Sequence, residues 1–214
     1  MVVNGNQTIN RVRVKVCGIT TLEDALQAIA AGADALGFVF YPKSPRYIEV
    51  EAAQRIIAQL PPFVAIVGLF VNADPAIIKT TIAECNLDVV QLHGDETPAQ
   101  CEYAGVKVIK ALRVRSSECL QNVDDYPVAA LLIDAWSEDA YGGTGQLGRW
   151  DLAAQIAKRL PVILAGGLNK DNVAQAIAAV HPYAVDVSSG IEIKPGHKDS
   201  ELVRDFIYRA KKWE

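Results

Sequence analysis

Cysteine is sparse and dispersed in this chain. Cys17, Cys85, Cys101 and Cys119 form no CxxC pair, and the three histidines fall at no metal-ligand spacing. Neither a zinc site nor a disulfide framework is therefore indicated, and free thiols point to a reducing cytoplasm. No run of about 18 apolar residues is free of charge or turn signals, so nothing is expected to span a membrane. The start of the chain has no apolar segment behind a basic one, and Val3 to Asn10 reads as a frayed polar arm, not a signal peptide. Positive charge is not in excess either: the net charge is −4, with Lys and Arg scattered, which leaves no electrostatic footprint for nucleic acid. Any anion must be gripped locally. Internal linkers are missing too. Half of the 214 residues are hydrophobic, enough for one large core, so the chain divides into a flexible N-terminal arm, residues 1–10, and a single domain, residues 11–214.

What is present is a repeated alternation of strand and helix. Val12, Val14 and Val16 alternate with Arg13, Lys15 and Cys17, a period of two that marks a strand with unlike faces. Gly18 ends it, and Thr21 with Asp24 can cap a helix over Leu22 to Ala31. Further strands are expected over 35–40, 63–71, 87–92, 106–112, 128–133, 162–165 and 184–187. Helices are expected over 51–60, 75–84, 97–103, 117–122, 151–159, 170–179 and 200–212. Eight such units imply parallel strands with right-handed crossovers and match a closed (β/α)8 TIM barrel. The rival, an open doubly wound sheet, would want a GxGxxG turn after the first strand. Here that loop is Cys17-Gly18-Ile19-Thr20-Thr21.

Barrel enzymes keep their chemistry at the C-terminal ends of the strands, and several residues stand there. Gly166-Gly167 after strand 7 and Ser188-Ser189-Gly190 after strand 8 could present bare amides and hydroxyls to a phosphate, or could simply form tight turns. Cys17 and Asp134 end strands 1 and 6 on one rim, where a thiol and a carboxyl could act as base and acid. Spacing leaves open that Cys17 is a small buried hydrophobe and Asp134 a loop cap. Lys15 points into the barrel with Cys17 and needs a partner, for which Asp186 on the closing strand is the candidate. Lys15 or Lys110 could instead form a Schiff base, as in a barrel aldolase. Arg46, on a loop stiffened by Pro42 and Pro45, could clamp a carboxylate or lie in solvent. Gln91 and His93 end strand 4 and face the mouth as a pocket wall.

Taken in order, Lys15-Val-Cys17-Gly18-Ile19-Thr20, Leu36 to Phe40 with Ser44-Pro45-Arg46, Gln91-Leu92-His93-Gly94, Asp134 before Tyr141 to Gly145, Leu164 to Leu168 and Asp186 to Gly190 carry a resemblance. From about residue 12 to the C-terminus the chain resembles the phosphoribosylanthranilate isomerases of tryptophan biosynthesis, TIM barrels of the ribulose-phosphate-binding type. The resemblance implies an Amadori rearrangement without metal or organic cofactor, on a small-molecule substrate, by a free-standing cytoplasmic enzyme that is a monomer or homodimer. It assigns Asp134 as the acid at the ring oxygen, Cys17 as the thiolate base and Arg46 as the carboxylate clamp. Gly166, Gly167, Ser188 and Ser189 become the phosphate grip. The chain departs from the family pattern at Gln146-Leu147-Gly148-Arg149, where relatives often carry a basic or Thr-rich segment. From a different class comes a silent phosphate-binding barrel, for which Cys17 and Asp134 would be incidental.

Overall fold

The period-two pattern of the first strand sorts its side chains across a sheet wall. In β1 (Arg13–Cys17), Val14 and Val16 face outward into the apolar shell under the helices, while Lys15 and Cys17 face inward. The structure, a computed structural model, describes residues 11–114, 116–120, 122–134 and 149–212. The arm at residues 1–10, the glycine-rich stretch through Gly148 and the side chain of Cys119 lie outside the described residues.

β1 pairs in parallel with β2 (Ala35–Val39), and the sheet continues through β3 (Ala65–Phe70), β4 (Val89–Leu92), β5 (Lys107–Arg113), β6 (Ala130–Asp134), β7 (Val162–Ala165) and β8 (Ala184–Val187). β8 returns to β1 with Lys15 opposite Asp186, which closes the barrel. Closure abolishes the edges that an open sheet would expose. Ile109, Ala111, Ala130, Leu132, Ile163 and Ala184 fill the interior on the side of β5 to β8, and Cys17, Val39 and Leu69 pack together at the mouth.

The helices start and stop where local chemistry dictates. Thr21 Oγ1 accepts from the Asp24 amide at 3.1 Å to open α1 (Leu22–Ala31), and Gly32, at φ 101°, ends it in a left-handed cap. α2 (Val50–Ile57) follows, and Asp74 with Pro75 opens α3 (Pro75–Cys85). α4 (Trp150–Ala157), α5 (Val173–Val180) and α6 (Ser200–Lys211) complete the described helices, the last capped by Asp199.

Two connections differ from expectation. Among the described residues, the connection after β4 holds a 3-10 turn, Pro98–Gln100, and that after β5 the turns Ser117–Leu120 and Val123–Asp125, with no α-helix in either. Thr97 and Gln100 close a reciprocal capping box around a single turn, too short a piece to carry the cost of nucleating a longer helix. An unforeseen hairpin, β9 (Glu192–Lys194) with β10 (His197–Lys198), turns at Gly196, φ 80°, and lies between β8 and α6. No helix among the described residues is long and apolar enough to cross a membrane.

Candidate active site

Cys17 is the last residue of β1 and is buried, with its side chain in the mouth of the barrel. A carbon added at Gly37, its partner on β2, would lie 2.8 Å from the Cys17 Sγ and 3.0 Å from the Lys15 Nζ. The thiol and the ammonium therefore share the space that a missing side chain leaves on the neighbouring strand. Lys15 Nζ donates to Asp186 Oδ1 at 2.8 Å, both side chains less than a tenth exposed, so the ion pair expected across the β1–β8 seam is present.

Electrostatics at the thiol run in two directions. Burial pushes the Cys17 thiol above its ordinary value of 9.0, Lys15 and Lys198 pull it down, and Asp186 pushes it up again, with a net rise. Burial alone would depress Lys15, but Asp186 and Cys17 outweigh it, and the ammonium is held more firmly than usual. A lysine so held is a poor Schiff-base nucleophile, because amine attack needs the neutral form. Lys110 is no candidate either. It sits on the outer face of β5, opposite the inward Ile109 and Ala111, with its Nζ on Glu96 Oε2 at 2.8 Å and on the Gly94 carbonyl at 2.6 Å.

Asp134 ends β6 in register with Arg113 on β5 and Ala165 on β7, and is half-buried at the same rim. Across the mouth, Gln91 is fully buried and its Nε2 lies 3.0 Å from the Nδ1 of His93. Gln91 Oε1 is buried with no partner among the described residues. Burial lowers the His93 imidazole below its usual range, with Asp134 and Asp186 opposing and Lys15 and Arg113 assisting, so the ring is neutral at neutral pH.

The turns after β7 and β8 touch. Gly166 and Gly167 hold φ of 91° and 64°, a left-handed path that suits glycine, and Asn172 Nδ2 fixes the turn by donating to the Gly167 carbonyl at 3.0 Å. A carbon added at Gly190 would lie 2.0 Å from the Leu168 carbonyl oxygen, so the two turns press together at a bare Cα. Ser188 precedes the 3-10 turn Ser189–Ile191, and its Oγ is buried and without a partner among the described residues. Such orphan donors are uncommon inside proteins.

Arg46 lies at this rim too, but its fork is engaged. Nε donates to Glu192 Oε1 at 2.9 Å and to Oε2 at 3.2 Å, and Nη2 donates to Oε2 at 2.6 Å. Lys198 Nζ joins Glu192 Oε1 at 2.8 Å and donates to the Cys17 carbonyl at 2.6 Å and the Ser188 carbonyl at 3.4 Å. Glu192 and Lys198 escaped the sequence reading, since nothing local links Lys198 to a cysteine 181 positions away. Arg149, the described residue of the divergent loop, pairs with Asp151 at 3.0 Å. No group of three or more His, Cys, Asp or Glu among the described residues could hold a metal ion.

The sequence profile of the N-(5′-phosphoribosyl)anthranilate (PRA) isomerases matches residues 14–209. The N-(5′-phosphoribosyl)anthranilate isomerase of Citrifermentans bemidjiense is 58% identical over 200 residues, covering 94% of this chain and 97% of that one. Among solved structures, a phosphoribosyl anthranilate isomerase in complex with reduced 1-(o-carboxyphenylamino)-1-deoxyribulose 5-phosphate is similar, with a TM-score of 0.84 at 44% identity, over 93% of this chain and 98% of that one. So are monomers generated from the dimeric phosphoribosylanthranilate isomerase of Thermotoga maritima, with a TM-score of 0.83 at 42% identity over the same shares.

Proposed function

The chain belongs to the N-(5′-phosphoribosyl)anthranilate isomerase family, and from that premise we propose which of its residues carry the reaction. Its activity is an aldose-to-ketose isomerisation in tryptophan biosynthesis. N-(5′-phosphoribosyl)anthranilate becomes 1-(2-carboxyphenylamino)-1-deoxyribulose 5-phosphate, an Amadori rearrangement.

Asp134 delivers a proton to the ring oxygen as the bond from that oxygen to C1′ breaks, and the anthranilate nitrogen supplies the pair that makes the Schiff base. Cys17, as thiolate, takes the proton from C2′. The pair left behind forms the C1′–C2′ double bond and neutralises the imine nitrogen, giving an enolamine. Loss of the 2′-hydroxyl proton and gain of one at C1′ then yields the ketone. C1′ is reduced and C2′ oxidised within one molecule, so the electrons balance without an outside partner. Lys15 and Lys198 stabilise the thiolate that burial disfavours.

Around this pair, Arg46 grips the anthranilate carboxylate. Gly166, Gly167, Ser188 and Ser189 hold the phosphate, and Gln91 and His93 wall the pocket. The observation that carries the assignment is the thiol of Cys17 set beside a buried ammonium at the same barrel end as Asp134. Loss of phosphoribosylanthranilate fluorescence on adding the protein tests the activity. Crystals grown from phosphate or sulfate test the grip, and density elsewhere on the rim with nothing between Gly167 and Ser188 would sink it.

The finer biology follows the same reading. Residues 11–214 act as one barrel domain behind the arm at residues 1–10. The described free cysteines, Cys17, Cys85 and Cys101, support a cytoplasmic setting. A homodimer fits Phe63, a fully exposed aromatic held at φ 71° beside the N-terminal barrel mouth, because a strained, solvent-facing Phe is costly unless covered. Sedimentation should show a dimer that Phe63→Glu converts to monomer with the barrel intact. A parent that sediments as a monomer removes the homodimer.

A further inference from the structure

The β9–β10 hairpin brings to the rim a carboxylate, Glu192, that no step above uses, and an ammonium, Lys198, whose contacts reach beyond the thiolate it stabilises. The Lys198 side chain is wholly buried and that of Glu192 is 4% exposed, whereas Arg46 beside them is 22% exposed. Burial this deep is costly for charges unless each is paired, and here each is. Glu192 takes Arg46 on both oxygens and Lys198 on one, with the Gly196 amide on Oε1 at 3.3 Å. Lys198 passes the connection to the backbone of Cys17. One continuous path thus joins the strand of the base, the hairpin and the loop of Arg46.

The geometry at Arg46 gives that path a direction. A guanidinium offers two edges to carboxylates, Nε with Nη2 and Nη1 with Nη2. Glu192 occupies the first. Nη1 makes no hydrogen bond among the described residues, so the second edge is left for a ligand. The stem of Arg46 is fixed as well, because it crosses the bare Cα of Gly18, where an added carbon would lie 2.5 Å from Cδ. Charge completes the arrangement: two cations share one carboxylate, which leaves a net positive charge. With Lys198 absent, Arg46 and Glu192 would cancel, and an arriving anion would meet a neutral pair.

We propose that Glu192 and Lys198 are positioning residues for the substrate's carboxylate. Glu192 holds one edge of Arg46 so that the other meets the anthranilate group, and Lys198 offsets the charge of Glu192 while tethering it to β1. This rests on the reading of Arg46 as the clamp.

The test compares phosphoribosylanthranilate with its decarboxylated analogue, phosphoribosylaniline, each made by condensing ribose 5-phosphate with the arylamine. The quantity read is the preference, the ratio of the two kcat/KM values. Glu192→Gln should lower the preference about tenfold, chiefly through KM for the carboxylated substrate, the scale of one charge-assisted contact loosened, even though it makes the cluster more positive; Glu192→Asp, which leaves that charge unchanged, should lower it too. In an Arg46→Ala background the same change should add less than about twofold, because the group it positions is gone. Equal losses on both substrates, or full additivity in the double variant, would overturn the proposal in favour of a purely structural role. If Glu192→Gln does not fold, Glu192→Asp, which keeps the charge and withdraws one methylene, is judged by the same ratio. Preference kept in Arg46→Ala removes the clamp itself. Preference lost in Arg46→Ala but kept in the Glu192 variant removes only the positioning.

Discussion

Two buried lysine–carboxylate pairs of equal length stand on opposite faces of the sheet. Lys15–Asp186 lies inside the barrel across the β1–β8 seam, and Lys110–Glu96 lies outside, pinning β5 to the loop after β4, each at 2.8 Å. What separates them is how much of each pair is already spoken for. Glu96 also accepts from the Asn72 amide at 2.8 Å and the Gly94 amide at 2.9 Å, and Lys110 also holds the Gly94 carbonyl. That pair staples the segment where a 3-10 turn stands in for a helix. Asp186 accepts only from Lys15 among the described residues, and the ammonium faces a thiol. Length and burial therefore say nothing about a buried pair's task. Its unspent hydrogen-bonding capacity, and what that capacity faces, does.

The strongest break of this comparison is to remove what the inner pair serves. Cys17→Ala and Asp134→Asn should each lower kcat at least about 100-fold with an unchanged circular dichroism spectrum, since general acid and base terms are each worth that much or more. Turnover within a few-fold of the parent in Cys17→Ala would leave the inner pair nothing to serve, and the two pairs would be equals.

Arg46→Ala comes next. Losing a desolvated, charge-assisted contact of about 2 kcal/mol should cut kcat/KM by roughly 30-fold. Steady-state kinetics that leave it unchanged would return Arg46 to the surface.

The inner lysine sharpens the contrast through pH. Burial raises the Cys17 thiol above 9.0, so the thiolate is the minor species at neutral pH and its fraction rises about tenfold per pH unit up to the raised value. A plot of log kcat/KM should therefore climb with pH. Lys15 lowers the thiol's value, so Lys15→Met should move the climb to higher pH and cost about tenfold near neutrality. Cys17→Ser should show no climb. A Lys15→Met profile that overlays the parent would separate the ammonium from the thiol.

The smallest effect on turnover belongs to the outer pair. Lys110→Met should leave kcat/KM within about twofold but destabilise the fold by roughly 3–5 kcal/mol, because it strands the Glu96 carboxylate. Denaturant melts measure the loss. A melt unchanged from the parent would deny the staple.

The barrel was legible because each strand announces itself locally. Val12 to Cys17 shows its two faces in six residues, and Thr21 and Gly32 bracket α1 where they were expected to. The Lys15–Asp186 pair could also be anticipated, since closure of a barrel dictates that the first and last strands meet. The β9–β10 hairpin could not. Three residues against two carry no alternation to read, and the meaning of Lys198 lies in a carbonyl at the other end of the chain. The short turns after β4 and β5 stand where helices were expected; at Thr97 a capping box marks where a turn begins without saying how far it runs. The engagement of Arg46 by Glu192 was hidden for the same reason as Lys198: a bidentate contact across 146 positions leaves no trace in either neighbourhood.

Gly37 sets a condition on anyone who would move this chemistry to another scaffold. The atoms that an added methyl would meet first are the side-chain ends of Cys17 and Lys15 and not backbone, so Gly37→Ala should fold and yet carry a displaced thiol. Copying the acid, the base and the clamp onto a host barrel would accordingly yield a silent graft unless the strand beside the cysteine also arrives with a blank at that register. In a transplant, the residue with no side chain has to travel with those that have one.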